Sequence, residues 1–150
     1  MKIKSTIILI LGLVLIAIIY SCNNSKNLNN SSLSHVEVNF STIGNATNLQ
    51  INKENILIEN RTRGEEQSNR THQKTTSSYW SKIQQLVAAL DLSQIDQWEA
   101  PSNSFTFDGA RGVYIQLEVD GQLYVSNTFD EGKPPVELEK LYFLLVESLD

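Results

Sequence analysis

The sequence predicts an α+β domain: an antiparallel sheet of about four to six strands with two helices packed on one face. Short runs in which apolar and polar residues alternate are typical of half-buried strands. Two longer stretches repeat their apolar residues at helical spacing, which indicates helices that bury one face. Turn signals separate the short runs, so neighbouring strands are expected to pair and the helices to cover one side of the sheet.

The N-terminal half of the domain contains three predicted strands and one segment that is open to two interpretations. Alternating apolar residues predict strands at 36–40, 49–51 and 56–58, with a turn at Gly44-Asn45 between the first two. The stretch 68–76 is polar, and its sequence is compatible with a fourth strand or with a loop.

A helix is predicted after this segment, with Ser77 or Ser78 as its N-terminal cap. Its apolar residues fall at i, i+3, i+7 and i+10, which is the stripe expected of a helix that faces a core. The stripe consists of Trp80, Ile83, Val87 and Leu90. A further short helix is predicted at 91–98, ending before Pro101 because the residue before proline is disfavoured in a helix.

The stretch 112–129 predicts a β-hairpin. Its Asp120-Gly121 pair is typical of a two-residue turn, but that turn would place the apolar rows of the two strands on opposite faces. A three-residue loop with Gly121 in the left-handed conformation would pair 117 with 123 and align the rows. We therefore predict the three-residue loop, with an apolar row of Leu123, Val125 and Phe129 on the returning strand.

Pro134-Pro135 is expected to open the last helix, because proline suits the first helical position. The apolar residues that follow recur at helical spacing and predict a second stripe that faces the core. This stripe consists of Leu138, Leu141, Tyr142, Leu145 and Leu149.

The first 21 residues have the organisation of a lipoprotein signal peptide. Lys2 and Lys4 precede an aliphatic run, and Ile19-Tyr20-Ser21-Cys22 resembles the lipobox, whose cysteine becomes the acylated N-terminus. The apolar stretch 5–20 would form roughly 24 Å of helix, short of a hydrocarbon core of about 30 Å, so a cleaved signal is favoured over an uncleaved anchor. Cys22, the only cysteine, is the predicted site of lipidation by palmitate or a similar chain.

This assignment divides the chain into a signal peptide (1–21), an acylated cysteine with a flexible spacer (22–34) and a single domain (35–150). Asn and Ser dominate the spacer; they offer little to bury and compete with regular structure through their side chains. Both a cleaved signal and an uncleaved anchor place the domain outside the cytoplasm, on the periplasmic side of a membrane or at the cell surface.

The chain beyond the leader is acidic, with ten basic residues against seventeen acidic ones. Such a charge repels nucleic acid, which is therefore excluded as a partner. The charge is unevenly distributed: residues 83–150 contain twelve acids and three bases, whereas residues 53–82 are slightly basic. With one cysteine the chain has no intrachain disulfide, so its stability must come from packing.

Two similar Thr-Phe-Asp segments lie 22 residues apart, one before the hairpin and one after it. Hairpin geometry is expected to bring Asp108, Arg111, Asp130 and Glu131 to one end of the sheet. Paired carboxylates there would suit acid–base chemistry or Ca²⁺, while the structural alternative is turn chemistry with Arg111 neutralising its neighbours. These four residues and Trp98 form the candidate binding surface.

Other chemistry has little support in the sequence. A serine nucleophile needs a histidine base, and His35 and His72 stand alone without a motif around them. A zinc site is not predicted either, because two isolated histidines and one cysteine do not match a known pattern of zinc ligands. We therefore predict no catalytic residue, no metal site and no cofactor.

The leader, the Asn/Ser spacer and the stretch from Trp80 through APSNSFTFDGARG to SNTFDEGKPPVELEKL resemble small uncharacterised lipoproteins of Bacteroidota-type bacteria. The C-terminal part of this pattern covers roughly half of the chain. The resemblance implies a location in the cell envelope, and it brings no activity with it.

The sequence therefore predicts a membrane-anchored, extracytoplasmic lipoprotein that is not an enzyme and whose domain binds another envelope protein. The alternatives are a small envelope hydrolase or ligand-binding enzyme that uses Asp108, Asp130 and Glu131, and a structural envelope component. An enzyme predicts carboxylates that converge at a pocket, with one pKa raised by burial. A binding module predicts an exposed apolar patch or an uncovered strand edge.

Overall fold

The computed structural model describes residues 32–106 and 109–149, so the predicted signal peptide, Cys22, most of the spacer and Asp108 lie outside the described residues. The strands within this part are β1 (Leu33–Thr42), β2 (Asn45–Ile51), β3 (Asn55–Thr62), β4 (Asn69–Lys74), β5 (Gly112–Val119), β6 (Gln122–Val125) and β7 (Phe129–Asp130). The helices are α1 (Ser77–Ala88) and α2 (Glu139–Val146), with 3₁₀ turns at Leu92–Gln94, Ser104–Thr106 and Glu147–Leu149.

The strands form one antiparallel sheet in the order β4-β3-β2-β1-β5-β6, and β7 also pairs with β5. The predicted fold class, an α+β domain with an antiparallel sheet and two helices, is confirmed. The described sheet has seven strands rather than four to six, because the two-residue β7 adds a short strand. The segment 68–76, which the sequence left open, contains the strand β4.

One face of the sheet is apolar and carries the core. In β1 the alternate residues Val36, Val38 and Phe40 are at most 1% exposed. Val38 has Leu49 on one side and Ile115 on the other, so the apolar rows of neighbouring strands continue each other. Both predicted helical stripes pack into the same cluster, with the buried members Trp80, Ile83, Val87, Leu138, Leu141, Tyr142 and Leu145. Both helices therefore lie on this face, and each fully buried large side chain stabilises it by about 1.5–3 kcal/mol.

The opposite face of the sheet is polar. Glu37 on β1 accepts hydrogen bonds from the Nδ2 groups of Asn39 (2.9 Å) and Asn48 (2.5 Å). The side chains of β4 that share this face are Arg70, His72 and Lys74, since Arg70 pairs with Glu59 and Glu59 with Asn48. The strict alternation of strand side chains thus separates an apolar, helix-covered face from a hydrogen-bonded face.

The helix starts differ from the predicted ones by a few residues. Thr76 caps α1, because its hydroxyl accepts the Tyr79 N–H at 3.2 Å, rather than Ser77 or Ser78. The last helix starts at Glu139 and not at Pro134-Pro135. A turn intervenes, in which Leu138 donates to the Pro135 carbonyl at 3.0 Å, so the first bonds span three residues rather than four.

The predicted short helix at 91–98 is reduced to the 3₁₀ turn Leu92–Gln94. Asp91 precedes it and accepts hydrogen bonds from the N–H and the hydroxyl of Ser93. An Asp that binds the backbone two residues ahead favours a turn over a continued helix.

The predicted three-residue hairpin loop is wrong. Val119 pairs with Gln122, so the loop is the two-residue turn Asp120-Gly121, with φ of 54° and 75°. Positive φ at both positions matches the twist of the strands, and the Asp120 carboxylate is held by the Ser32 N–H at 2.7 Å. As a result Leu123 lies opposite Glu118 on the polar face and is 58% exposed.

Ser126 explains how Phe129 nevertheless reaches the core. The pairing of β6 would place residue 128 opposite Val113, but Phe129 lies there, so one extra residue is accommodated between β6 and β7. Ser126 donates its N–H to the Ile115 carbonyl at 2.9 Å and accepts the Ile115 N–H on its hydroxyl at 3.0 Å. A buried hydroxyl thus takes the place of a strand carbonyl.

Candidate binding site

The hairpin brings three of the predicted site residues to one end of the sheet. Arg111 directly precedes β5, and Asp130 and Glu131 lie at the end of β7, which pairs with Gly112. The Glu131 N–H donates to the Arg111 carbonyl at 2.9 Å. Asp108, the fourth predicted member, lies outside the described residues.

Asp130 is buried, with 3% of its surface exposed. Its carboxylate accepts the Ser102 hydroxyl at 2.5 Å, the Ser104 N–H at 2.9 Å and the Phe105 N–H at 2.7 Å. The Ser102 hydroxyl, followed by the Phe105 and Ser104 donors, lowers the pKa of Asp130 to about 2, although burial opposes this shift. The ionised carboxylate of Asp130 therefore holds the 102–105 loop against β7.

Arg111 has three partners within the domain. It donates to Glu131 at 3.1 Å and to the Thr47 hydroxyl at 2.5 Å, and its guanidinium carbon lies 4.9 Å from the centre of the Phe40 ring. The side chain of Arg111 is 31% exposed and that of Glu131 is 43% exposed. The arginine, which directly precedes β5, therefore contacts β1 through the cation–π pair with Phe40 and β2 and the turn after β7 through hydrogen bonds.

Trp98 is half-buried and packs against the edge of the core. It lines an open groove of about 590 Å³ together with Pro101, Asn103, Phe105 and Asn127. The loop that Asp130 holds forms one wall of this groove, which has mixed polar and apolar lining. Neither His35 nor His72 is among the residues that line it.

Within residues 32–106 and 109–149, no group of three or more His, Cys, Asp and Glu side chains is arranged to hold a metal ion. In the same part of the chain, no helix is both long enough and apolar enough to span a bilayer. Comparisons of the chain with protein-family models, with curated proteins and with solved structures find no match.

A second buried carboxylate, Glu59 on β3, lies at the other side of the sheet and was not singled out from the sequence. It is 6% exposed and accepts the Ser68 hydroxyl at 2.6 Å, while guanidinium groups of Arg70 and Arg61 lie at 3.0 and 3.2 Å. The Ser68 hydroxyl and then the two arginines lower the pKa of Glu59 to about 2. The i, i+2 spacing of Glu59 and Arg61 was the available signal, but Arg70 becomes a neighbour only once β4 pairs with β3.

The strand β4 is one of the two edge strands of the described sheet; the other, β6, is four residues long. All six of its residues are exposed, and its described partner is β3 on one side. Near the start of β4 is an open groove of about 640 Å³ whose charged lining includes Glu59, Arg61 and Arg70. An edge strand of this kind presents a row of unpaired backbone donors and acceptors to solvent.

The hydrogen-bond phase of the β3–β4 ladder shows which backbone groups are unpaired. The Thr75 N–H donates to the Glu54 carbonyl at 3.0 Å, so 54 and 75 form a hydrogen-bonded pair of the antiparallel ladder. Such pairs recur at every second residue, which makes Thr71 and Gln73 hydrogen-bonding partners of β3. The N–H and C=O groups of Arg70, His72 and Lys74 therefore point away from the sheet.

Proposed function

We propose that this chain is a membrane-anchored, extracytoplasmic lipoprotein of the cell envelope, and that its domain is a binding module for another envelope protein. The observation that carries the binding role is the edge strand β4, the longer of the two edge strands, whose six residues are all exposed, on a sheet whose apolar face is already covered by helices. Strand edges of this length are used in protein recognition because they offer main-chain hydrogen bonds.

The support for the anchor comes from the sequence. A basic start, an aliphatic run too short for a comfortable bilayer span and a lipobox-like end at Cys22 together favour signal cleavage and acylation. An Asn/Ser-rich spacer of about a dozen residues would let the domain stand clear of the bilayer.

The state of the candidate carboxylates favours binding over hydrolysis. A general acid needs a pKa near the working pH, which burial usually provides by raising it. Asp130 has its pKa lowered to about 2, and three donors of the 102–105 loop occupy its oxygens. Glu131 is partly exposed and is paired with Arg111. This arrangement stabilises a loop, and it leaves Asp130 with a pKa far below the range that proton transfer near neutral pH requires.

The anchor is tested by metabolic labelling with a fatty-acid analogue in cells that express the full chain or its Cys22→Ala variant. We expect label on the wild type only, and a variant that migrates as an uncleaved precursor. Equal labelling of the two proteins would contradict the lipoprotein assignment.

The binding role is tested in the same cells with a photoreactive amino acid at His72 on β4, or at Gln85 on the exposed side of α1 as the control. We expect a cross-linked product with an envelope protein from position 72 and none from position 85. Absence of any product from positions on β4 and on the other described surfaces would contradict a binding module.

A further inference from the structure

We infer that β4 accepts an extended, acidic segment of a partner protein as an added strand of the sheet. The inference rests on the proposed binding function and specifies its site and the chemistry of the partner. Three features of β4 carry it: the direction of its unpaired backbone groups, the charge of the same residues, and the exclusion of a second copy of this chain.

The backbone of β4 has the outward-facing hydrogen-bonding groups that strand addition requires. Arg70, His72 and Lys74 each direct one N–H and one C=O away from β3, as the ladder phase requires. Their spacing matches the repeat of a facing strand, about 6.6 Å between alternate residues. A partner segment of five or six residues would therefore engage the whole edge.

The charge of the edge selects the partner. The residues with outward backbone groups are also those that carry basic or titratable side chains, and all three lie on the polar face of the sheet. In an added strand, the side chains on that face would lie directly across from them, where opposite charges stabilise the pair. This predicts a segment with Asp or Glu at every second position.

Neighbouring charges are consistent with that preference. On the polar face, Glu59 of β3 is paired with both Arg61 and Arg70, so this group of three side chains carries one net positive charge, and Lys74 adds a second. Residues 53–82 contain six basic and four acidic residues, whereas the remainder of the domain is strongly acidic. The edge at β4 therefore belongs to a basic region of a domain that is otherwise acidic, which favours an acidic segment there.

A second copy of the chain is a poor occupant of this edge. Any antiparallel β4–β4 pairing that continues both sheet faces places the basic residues opposite one another, for example Arg70 opposite Lys74 in the register centred on His72. Like charges directly opposite destabilise a strand pair. The same residues that attract an acidic strand thus prevent self-association.

The test uses the purified full chain in detergent and three synthetic peptides: one alternating Glu with Thr and Val, its Lys counterpart, and the Glu peptide N-methylated at alternate amides. We expect the Glu peptide to bind about tenfold or more tightly than either of the others, in a fluorescence anisotropy titration, since each lost charge pair or hydrogen bond is worth up to a factor of ten. Equal binding of all three peptides would overturn the inference.

Two pairs of variants separate backbone from charge. His72→Pro removes an outward N–H at an edge position where proline is tolerated, and His72→Ala removes the side chain alone. We expect His72→Pro to weaken binding of the Glu peptide about tenfold relative to His72→Ala, with both variants folded by circular dichroism. Lys74→Glu should weaken binding severalfold, whereas Lys82→Glu, the same charge change on α1, should not.

Loss of binding in Lys74→Glu together with unchanged binding in His72→Pro would overturn strand addition in favour of plain charge attraction, as for an anionic lipid surface. A dimer of the full chain that dissociates in His72→Pro would overturn it in favour of self-pairing. The failure of this inference can be distinguished from the failure of the proposed function. Cross-links in cells from other described surfaces, without peptide binding to β4, would reject only this site, whereas the absence of cross-links from every described surface would reject the binding module itself.

Discussion

The β5–β7 side and the β3–β4 side of the sheet each contain a buried carboxylate, and the two carboxylates have different kinds of hydrogen-bond partner. On the β5–β7 side, Asp130 is surrounded by a hydroxyl and two backbone N–H groups of the 102–105 loop. On the β3–β4 side, Glu59 is surrounded by a hydroxyl and two arginines whose side chains are 68% and 58% exposed. Both carboxyl groups have a pKa of about 2.

The difference indicates that the β5–β7 side is closed around its carboxylate, whereas the β3–β4 side is open to solvent. Beside β7, a loop from Ser102 to Phe105 is held by Asp130, and a Cβ on Gly112 would meet the Thr128 methyl at 3.1 Å, so the packing around Gly112 is tight. Beside β4, two of the donors to Glu59 are arginine side chains that are mostly exposed to solvent. The first arrangement holds a shape, and the second can rearrange when a partner approaches.

The largest effect is expected from Asp130→Ala. This change leaves the Ser104 and Phe105 N–H groups and the Ser102 hydroxyl without their acceptor, in a region that is already packed. We expect a lower urea midpoint than for any other substitution discussed here, measured by circular dichroism. If Glu59→Ala lowered the midpoint more, the division into a closed side and an open side would be wrong.

Ser126→Ala should follow, because it leaves the buried Ile115 N–H without its acceptor where the strand pairing shifts by one residue. An unsatisfied buried donor costs about 1–3 kcal/mol in the free energy of unfolding. Ser81→Ala, an exposed serine on α1, is the matched control and should be nearly neutral. Rapid hydrogen exchange of the Ile115 amide in the Ser126→Ala variant would identify the lost bond.

The pH dependence of stability should reveal both carboxylates together. Their pKa values are about 2 in the folded protein against ordinary values of 4.5 for Glu59 and 3.8 for Asp130. The unfolded chain therefore binds more protons between these limits, so the stabilisation is complete above about pH 4.5 and is lost as the pH falls towards 2. Urea unfolding at pH 7 and pH 3 should show this loss, with a smaller difference in Asp130→Asn and in Glu59→Gln than in the wild type.

The smallest effect is expected from Arg61→Ala. Its side chain is mostly exposed and Arg70 remains beside Glu59, so we expect a change of about 0–1 kcal/mol in the free energy of unfolding. High salt should reduce this effect further, whereas it should leave the effect of Asp130→Ala nearly unchanged, because that carboxylate has no cationic partner among its described hydrogen bonds. Equal salt sensitivity of the two variants would contradict the contrast between the two sides.

Much of the fold could be predicted from local patterns. The period of two in β1 and the stripe through Trp80, Ile83 and Val87 correctly identified the buried faces, because side-chain direction in strands and helices follows from sequence spacing alone. The predicted hairpin register was wrong because the same spacing rule was applied to the returning strand. Alignment of Leu123 with the core was assumed, but the Asp120-Gly121 turn decided the register and the extra residue after β6 brought Phe129 back.

The candidate site was predicted in part. The sequence predicted that Arg111, Asp130 and Glu131 lie at one end of the sheet, where the hairpin places them. It did not show that Asp130 would accept the Ser104 and Phe105 N–H groups. Those donors come from a loop some 25 residues away, and local pattern contains no information on such a contact. The Glu59 cluster was missed because Arg70 reaches it only through pairing of two strands.

By itself, the sequence determined the fold class, the buried faces of β1 and of the two helices, and the uneven distribution of charge, because each depends on residue spacing and composition. Tertiary structure alone decided that β4 is a free edge, that its basic residues direct their backbone groups outward, and that Asp130 and Glu59 are buried in ionised form. These features depend on which strands become neighbours and in which register. That outcome is set by the packing of the whole sheet and not by any one segment of the chain.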